Sequence, residues 1–305
     1  MSTDRGYFNI PVPTLGGRQF WGDVLFYQGW RIQENVFTKH YRLIDPGDVR
    51  RAWGTREACE AALAEFKKSE KLPPMKGEVV IYVHGIIRSS KSISSLITSL
   101  EELDYTVVGF DYPSTQVTMI DSAAYLKQVI DSLEGVEKIH FVCHSMGGLI
   151  VRTYLQQYEP DPRIGRMVML GVPNLGAKMA DIMKDNILYQ FIYGPAGQEL
   201  VENPEGYIAK LPTPQFEFAV IAGARGTNDG WNPLIPGDDD GTVSVDATRL
   251  PGAVDFMTVP AIHSFMMSNE QAQAATLNFL KHGCLRESGE RSPIIRTANA
   301  VKSGG

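Results

Sequence analysis

From Lys76 onward, short apolar runs alternate with stretches whose apolar residues recur every three to four positions. That rhythm predicts a mostly parallel sheet with helices on both faces. The runs Glu78 to His84, Tyr105 to Phe110, Ile139 to Cys143, Arg163 to Gly171, Phe216 to Ala222 and Ala253 to Val259 read as strands. Such runs are apolar almost throughout because a strand buried on both faces has no solvent side to present. Helices are predicted from Ser90 to Leu103, with Ile93, Leu96, Ile97 and Leu100 inward, and from Asp121 to Leu133. Another follows the Ile139 run, and a last one is capped by Ser268 and extends to His282.

The first 75 residues follow a different rhythm. After a Pro- and Gly-punctuated start, Val24–Tyr27, Trp30–Gln33 and Lys39–Ile44 read as strands, joined by turns at Gln28-Gly29 and at Asp45-Pro-Gly-Asp. Thr55 then caps a helix from Arg56 to Lys68 that turns Ala58, Ala61, Ala62, Leu63 and Phe66 inward. This predicts a β-rich appendage with one helix over 1–75, its aromatics serving packing, ahead of an α/β domain over 76–282. The polar residues 283–305 are expected to be disordered.

Between Pro173 and Pro214 no strand is apparent. Apolar clusters around Ile182, Ile187 and Phe191 follow a strand end, on the side where such sheets bind ligands. A lid or acyl-pocket wall over 173–214 and ordinary helical packing fit equally well.

Bulk properties narrow the classes of function. The 305 residues are 43% hydrophobic and 21% charged, enough for a large core. The net charge of −6 gives no nucleic-acid footprint, and no run is long enough for a transmembrane helix. Cys59, Cys143 and Cys284 show neither metal spacing nor a disulfide framework, and no apolar leader follows the first residues, so a cytoplasmic enzyme is expected.

The chemistry centres on Ile139 to Leu155. A strand, a sharp turn and a helix place Ser145 at the tip of a nucleophile elbow, read as Cys143-His-Ser145-Met-Gly147. Five residues alone fit a plain strand-to-helix turn as well, so the decision falls to distant positions. A base is needed, and downstream of Ser145 stand only His263 and His282. His282 ends a helix, where the dipole accounts for it. His263 lies in the loop after the last strand and is the expected base. The orienting acid is sought in Pro236-Gly-Asp-Asp-Asp-Gly-Thr-Val, with Asp240 favoured, and Asp238 and Asp239 expected in a solvated turn. That carboxylate density lacks EF-hand spacing for calcium. Backbone amides of Ile86 and Met146 are the expected oxyanion hole. His84 is expected to bond within its loop, His144 to point away from the elbow, and His40 and His140 to be structural.

Four stretches carry a resemblance: Val83-His-Gly-Ile, Cys143-His-Ser-Met-Gly-Gly, Leu170-Gly-Val-Pro-Asn-Leu-Gly, and Asp240-Gly-Thr-Val-Ser-Val followed by His263. Over about residues 76 to 282 the chain resembles the lipase/esterase branch of the α/β-hydrolase superfamily. The resemblance implies an α/β-hydrolase fold and a serine carboxylic-ester hydrolase acting on acyl esters or lipids. It implies Ser145 as nucleophile, His263 as base, Asp240 as acid, Ile86 and Met146 as oxyanion amides, and no cofactor. Peripheral lipid contact through the lid is a further expectation. Cys143 departs from the usual elbow glycine, and the calcium-binding aspartate of many bacterial lipases has no counterpart, so no metal is implied. Thioesterase, amidase or acyltransferase activity would use the same apparatus, and a non-catalytic binding protein could keep the fold. Oligomeric state is not legible in the sequence.

Overall fold

The computed structural model describes residues 12–13, 18–86, 89, 94–176, 195, 199 and 206–296. The N-terminal part is an antiparallel sheet of β1 (Val12–Pro13), β2 (Trp21–Tyr27), β3 (Trp30–Asn35), β4 (Tyr41–Ile44) and β5 (Val49–Gly54), in the order β1-β5-β4-β3-β2. Gln28 and Gly29 both have positive φ, the conformation that lets a two-residue turn follow strand twist. Helix α1 (Arg56–Ser69) packs on β4 and β5, with Thr55 Oγ1 accepting from the Ala58 amide.

Strand β5 was not anticipated from its sequence, Val49-Arg-Arg-Ala-Trp-Gly. Within it Ala52 and Gly54 alone are buried, so its apolar signal is nearly absent. It is held instead by pairing with β4 and by Arg51, which donates to Asp45 at 2.6 Å.

The second sheet is parallel throughout. It contains β6 (Glu78–Val83), β7 (Thr106–Phe110), β8 (Lys138–His144), β9 (Ile164–Leu170), β10 (Phe218–Ala224) and β11 (Asp255–Pro260), ordered β11-β10-β9-β8-β6-β7. Successive side chains go to opposite faces. Val79, Ile81 and Val83, with Phe141, Met167, Met169 and Val220, face one core, completed by α3 (Met119–Ser132), α4 (Met146–Gln157) and the N-terminal sheet. Val80, Tyr82, Val142, Val168 and Ile221 face the other, under α2 (Ser94–Glu101) and α5 (Glu270–His282). Both faces are covered, which is why the strand sequences are apolar without alternation.

From β6 the chain runs outward to β7, then returns past β6 to β8 and continues the other way. The loops after β6 and β8 therefore part at their carboxyl ends, leaving the crevice where open α/β sheets bind ligands.

Two boundary readings change, and a third falls partly on residues that are not described. The cap of α5 is Asn269, whose Oδ1 accepts from Ala272, rather than Ser268, whose hydroxyl donates to Phe265. The helix expected from Ser90 is described from Ser94, with positions 90–93 outside the described residues. The polar tail, expected to be disordered from Gly283, is ordered through Arg296. It is tied down by Asp255, fully buried, whose carboxylate accepts from Leu285, Ser292 and Arg286. Most of the expected insertion at 173–214 lies outside the described residues.

Candidate active site

Ser145 follows β8 with φ 54° and ψ −130°, a left-handed backbone that L-residues adopt at a cost. The elbow closes because Gly147 has no side chain: a Cβ there would stand 2.1 Å from the Val83 carbonyl oxygen. Cys143 is tolerated at the first elbow position because it points into the core beside Phe141, and the tight crossing falls on Gly147. Ser145 occupies the N-cap position of α4, yet its side chain makes no capping bond. A cap serine ordinarily turns its oxygen onto the helix amides. Here Ser145 Oγ is 2.9 Å from Nε2 of His263.

His263 opens a single 3₁₀ segment after β11, and its amide donates to the Asp240 carbonyl at 2.8 Å. Its Nδ1 lies 2.6 Å from Asp240 Oδ2. A carboxylate oxygen there calls for hydrogen on Nδ1, which leaves the Nε2 lone pair for the serine hydroxyl. Asp240 is fully buried, and its other oxygen accepts from the amides of Thr242 and Val243 at 3.0 and 2.8 Å. Hydroxyl, imidazole and carboxylate, 118 and 23 positions apart in sequence, form one hydrogen-bonded line.

Of the other two aspartates of the acid loop, expected in a solvated turn, Asp239 is instead fully buried, while Asp238 is half-buried. Asp238 accepts from the amides of Arg225 and Gly226, and the fully buried Asp239 from those of Asn232 and Gly241. The loop must form a compact knot to present Asp240, and its own backbone needs acceptors there.

Ile86 ends the described part of the loop after β6, and Met146 opens α4, where the first amides have no partner within the helix. The loop bearing Ile86 packs closely against Ser145: a Cβ on Gly85 would stand 2.9 Å from Ser145 Cβ.

The remaining histidines sort by geometry. His84 bonds within its loop, Nδ1 lying 2.7 Å from the Gly85 carbonyl. His140 joins Glu78 through Nε2 and accepts the Arg166 amide at Nδ1, and burial lowers its pKa. His144 departs from expectation by turning toward the site, with Nε2 2.9 Å from the backbone carbonyl of His263. Arg152 carries no distinguishing signal in the sequence, where it is one basic residue in a helix. Its buried guanidinium donates to the carbonyls of Asn174, Leu211 and Pro212, fastening α4 to both stems of the insertion. Burial lowers its pKa to about 10, so it remains charged near neutrality.

Among the described residues, no group of three or more His, Cys, Asp or Glu side chains could hold a metal ion, and no helix is long and apolar enough to cross a membrane.

Comparison with known proteins adds three findings. Residues 47–198 match the model of a domain of unknown function, DUF7379. The human lysosomal thioesterase PPT2 is 26% identical over 144 residues, 39% of this chain and 44% of the human protein. The Xenopus laevis lysosomal thioesterase PPT2-B is 27% identical over 113 residues, 32% of this chain and 36% of that protein. The chain thus aligns with less than half the length of these relatives. Among solved structures, the Bacillus licheniformis lipase BlEst2 in its propeptide form has a TM-score of 0.55 at 19% identity, covering 74% of this chain and 52% of that one. Its mature form has a TM-score of 0.50 at 18% identity, covering 68% of this chain and 91% of that one. Six parallel strands in this order, with helices on both faces and these structural neighbours, identify the chain as a protein of the α/β-hydrolase fold.

Proposed function

We propose that the protein is a serine hydrolase of carboxylic esters, with Ser145 as nucleophile, His263 as base and Asp240 as the orienting acid. The observation that carries this reading is the 2.9 Å approach of His263 Nε2 to a serine hydroxyl that has given up its helix-capping bond. Ser145 Oγ attacks the ester carbonyl carbon and its proton passes to Nε2. The carbonyl electron pair becomes an oxyanion, which the Ile86 and Met146 amides stabilise. Collapse expels the alkoxide, which takes the proton from Nε2, and leaves an acyl-serine. Water then loses a proton to the same nitrogen as it attacks, and the acid departs. Asp240 holds the imidazole in the productive tautomer throughout.

The apolar residues of the 173–214 insertion and the fold shared with a lipase support acyl esters, lipids included, as the substrate class. Contact with a lipid surface through that insertion belongs to the same reading. A cytoplasmic setting is supported by three buried, unpaired cysteines, although the curated relatives are named lysosomal. Those relatives are also named thioesterases, which makes acyl thioesters the second substrate class.

Labelling with a fluorophosphonate followed by peptide mapping tests the mechanism. The label is expected on Ser145, and Ser145→Ala should lose both label and turnover of p-nitrophenyl acyl esters. A label retained in that variant would remove Ser145 from the role. A panel of matched esters, thioesters and amides then decides the leaving group.

A further inference from the structure

The N-terminal sheet lies outside the stretches that resemble hydrolases, yet a buried polar chain leads from it to the loop beside the nucleophile. Asp111, directly after β7 and 2% exposed, is held three ways by that sheet. Its amide donates to Asp23 Oδ2 at 2.7 Å, its carbonyl accepts from the Asp23 amide at 2.9 Å, and its Oδ2 accepts from Arg31 at 3.1 Å. Arg31 also pairs with Asp48. On its other side, Asp111 Oδ1 faces His84 Nε2 at 3.9 Å, both side chains buried, an ion pair when the imidazole carries its second proton.

His84 in turn governs the loop. Its Nδ1 donates to the Gly85 carbonyl at 2.7 Å, since a carbonyl can only accept. That carbonyl and the Ile86 N–H belong to one planar trans peptide, so fixing one group fixes the direction of the other. The preceding peptide is pinned as well: Tyr112 donates its hydroxyl to the His84 carbonyl at 2.6 Å, and its ring stacks on the imidazole at 4.4 Å. Tyr112 neighbours Asp111, so both holds on His84 come from a segment that the N-terminal sheet clamps.

We infer that Asp23 and Arg31 are positioning residues for the oxyanion amide of Ile86, acting through Asp111 and His84, so that the N-terminal sheet is a working part of the catalytic site. The inference rests on the proposed hydrolase reading. An oxyanion donor must meet charge that exists only in the transition state, and a small misalignment there weakens turnover while leaving ground-state binding nearly intact.

The test uses the full chain. Arg31→Met is compared with wild type on p-nitrophenyl esters, with competent sites counted by the end point of fluorophosphonate titration so that unfolded molecules drop out. Turnover per competent site is expected to fall about 10- to 100-fold with KM little changed, and a trifluoromethyl ketone, which forms an oxyanion on Ser145, should lose affinity in step. Arg31→Lys should recover much of the loss. Asp111→Asn, which keeps the backbone bonds to Asp23, should show the same signature and serves if Arg31→Met does not fold. His84→Asn keeps a donor for the Gly85 carbonyl but is too short to reach Asp111. Combining it with Arg31→Met should therefore add little further loss. Unchanged turnover per titrated site in Arg31→Met and Asp111→Asn, or losses that multiply in the double variant, would overturn the inference. An unlabelled wild type would instead sink the hydrolase reading itself.

Discussion

His144 Nε2 lies 2.9 Å from the backbone carbonyl of His263, so the residue before Ser145 braces the proposed base. The two rings are 4.9 Å apart. The carbonyl can only accept, so Nε2 carries the hydrogen, and the bond joins the end of β8 to the loop after β11. Loss of that bond lets the base loop drift relative to the elbow. His144→Ala is expected to lower kcat about 10-fold through misorientation of the base. His144→Gln, whose amide nitrogen reaches a similar point, should recover most of it. Steady-state kinetics on both variants check this, and equal losses would show that no such bond matters.

Asp240→Asn should keep the fold and lose the chemistry. The amides of Thr242 and Val243 would hold the asparagine oxygen in place of Oδ1. Its NH₂ then faces His263 Nδ1, so the imidazole must carry its hydrogen on Nε2, toward Ser145. A drop in kcat of about 10⁴-fold is expected from that wrong tautomer. An unaltered thermal midpoint beside the lost activity would separate this from unfolding.

Arg152→Met should destabilise the protein by about 3–5 kcal/mol, because it strips buried carbonyls of their donor. The carbonyls affected are those of Asn174, Leu211 and Pro212. Urea unfolding at neutral pH measures the cost.

Asp23 gives the stability a pH signature. Burial pushes its carboxyl up from 3.8 to about 7, against the pull of Arg31. The unfolded chain releases this proton near the ordinary value while the folded protein retains it. The contribution to stability therefore falls as pH rises between those two values and is level above them. Asp23→Asn cannot titrate. The stability of wild type relative to Asp23→Asn should accordingly decline from pH 4 to pH 7, measured as paired urea midpoints. A difference that stays constant with pH would refute the assignment.

The sequence by itself determined the α/β architecture, because strands buried on both faces and helices with one apolar stripe leave distinct periodic marks. It also singled out Ser145, Asp240 and His263 as a group, since the elbow turn and the order of the loops constrain which residues can meet. Short-range chemistry was equally legible: Thr55 as a cap and Gln28-Gly29 as a turn follow from neighbouring residues. Tertiary structure alone decided what polar residues do once buried. Asp255 ordering the tail, Asp239 knotting the acid loop, Arg152 fastening the insertion stems and Arg31 reaching Asp111 all depend on partners remote in the chain or on backbone amides and carbonyls that any residue could supply. A charged side chain looks the same in sequence whether it meets water or a buried acceptor. The fold decides which, because desolvation makes the pairing compulsory.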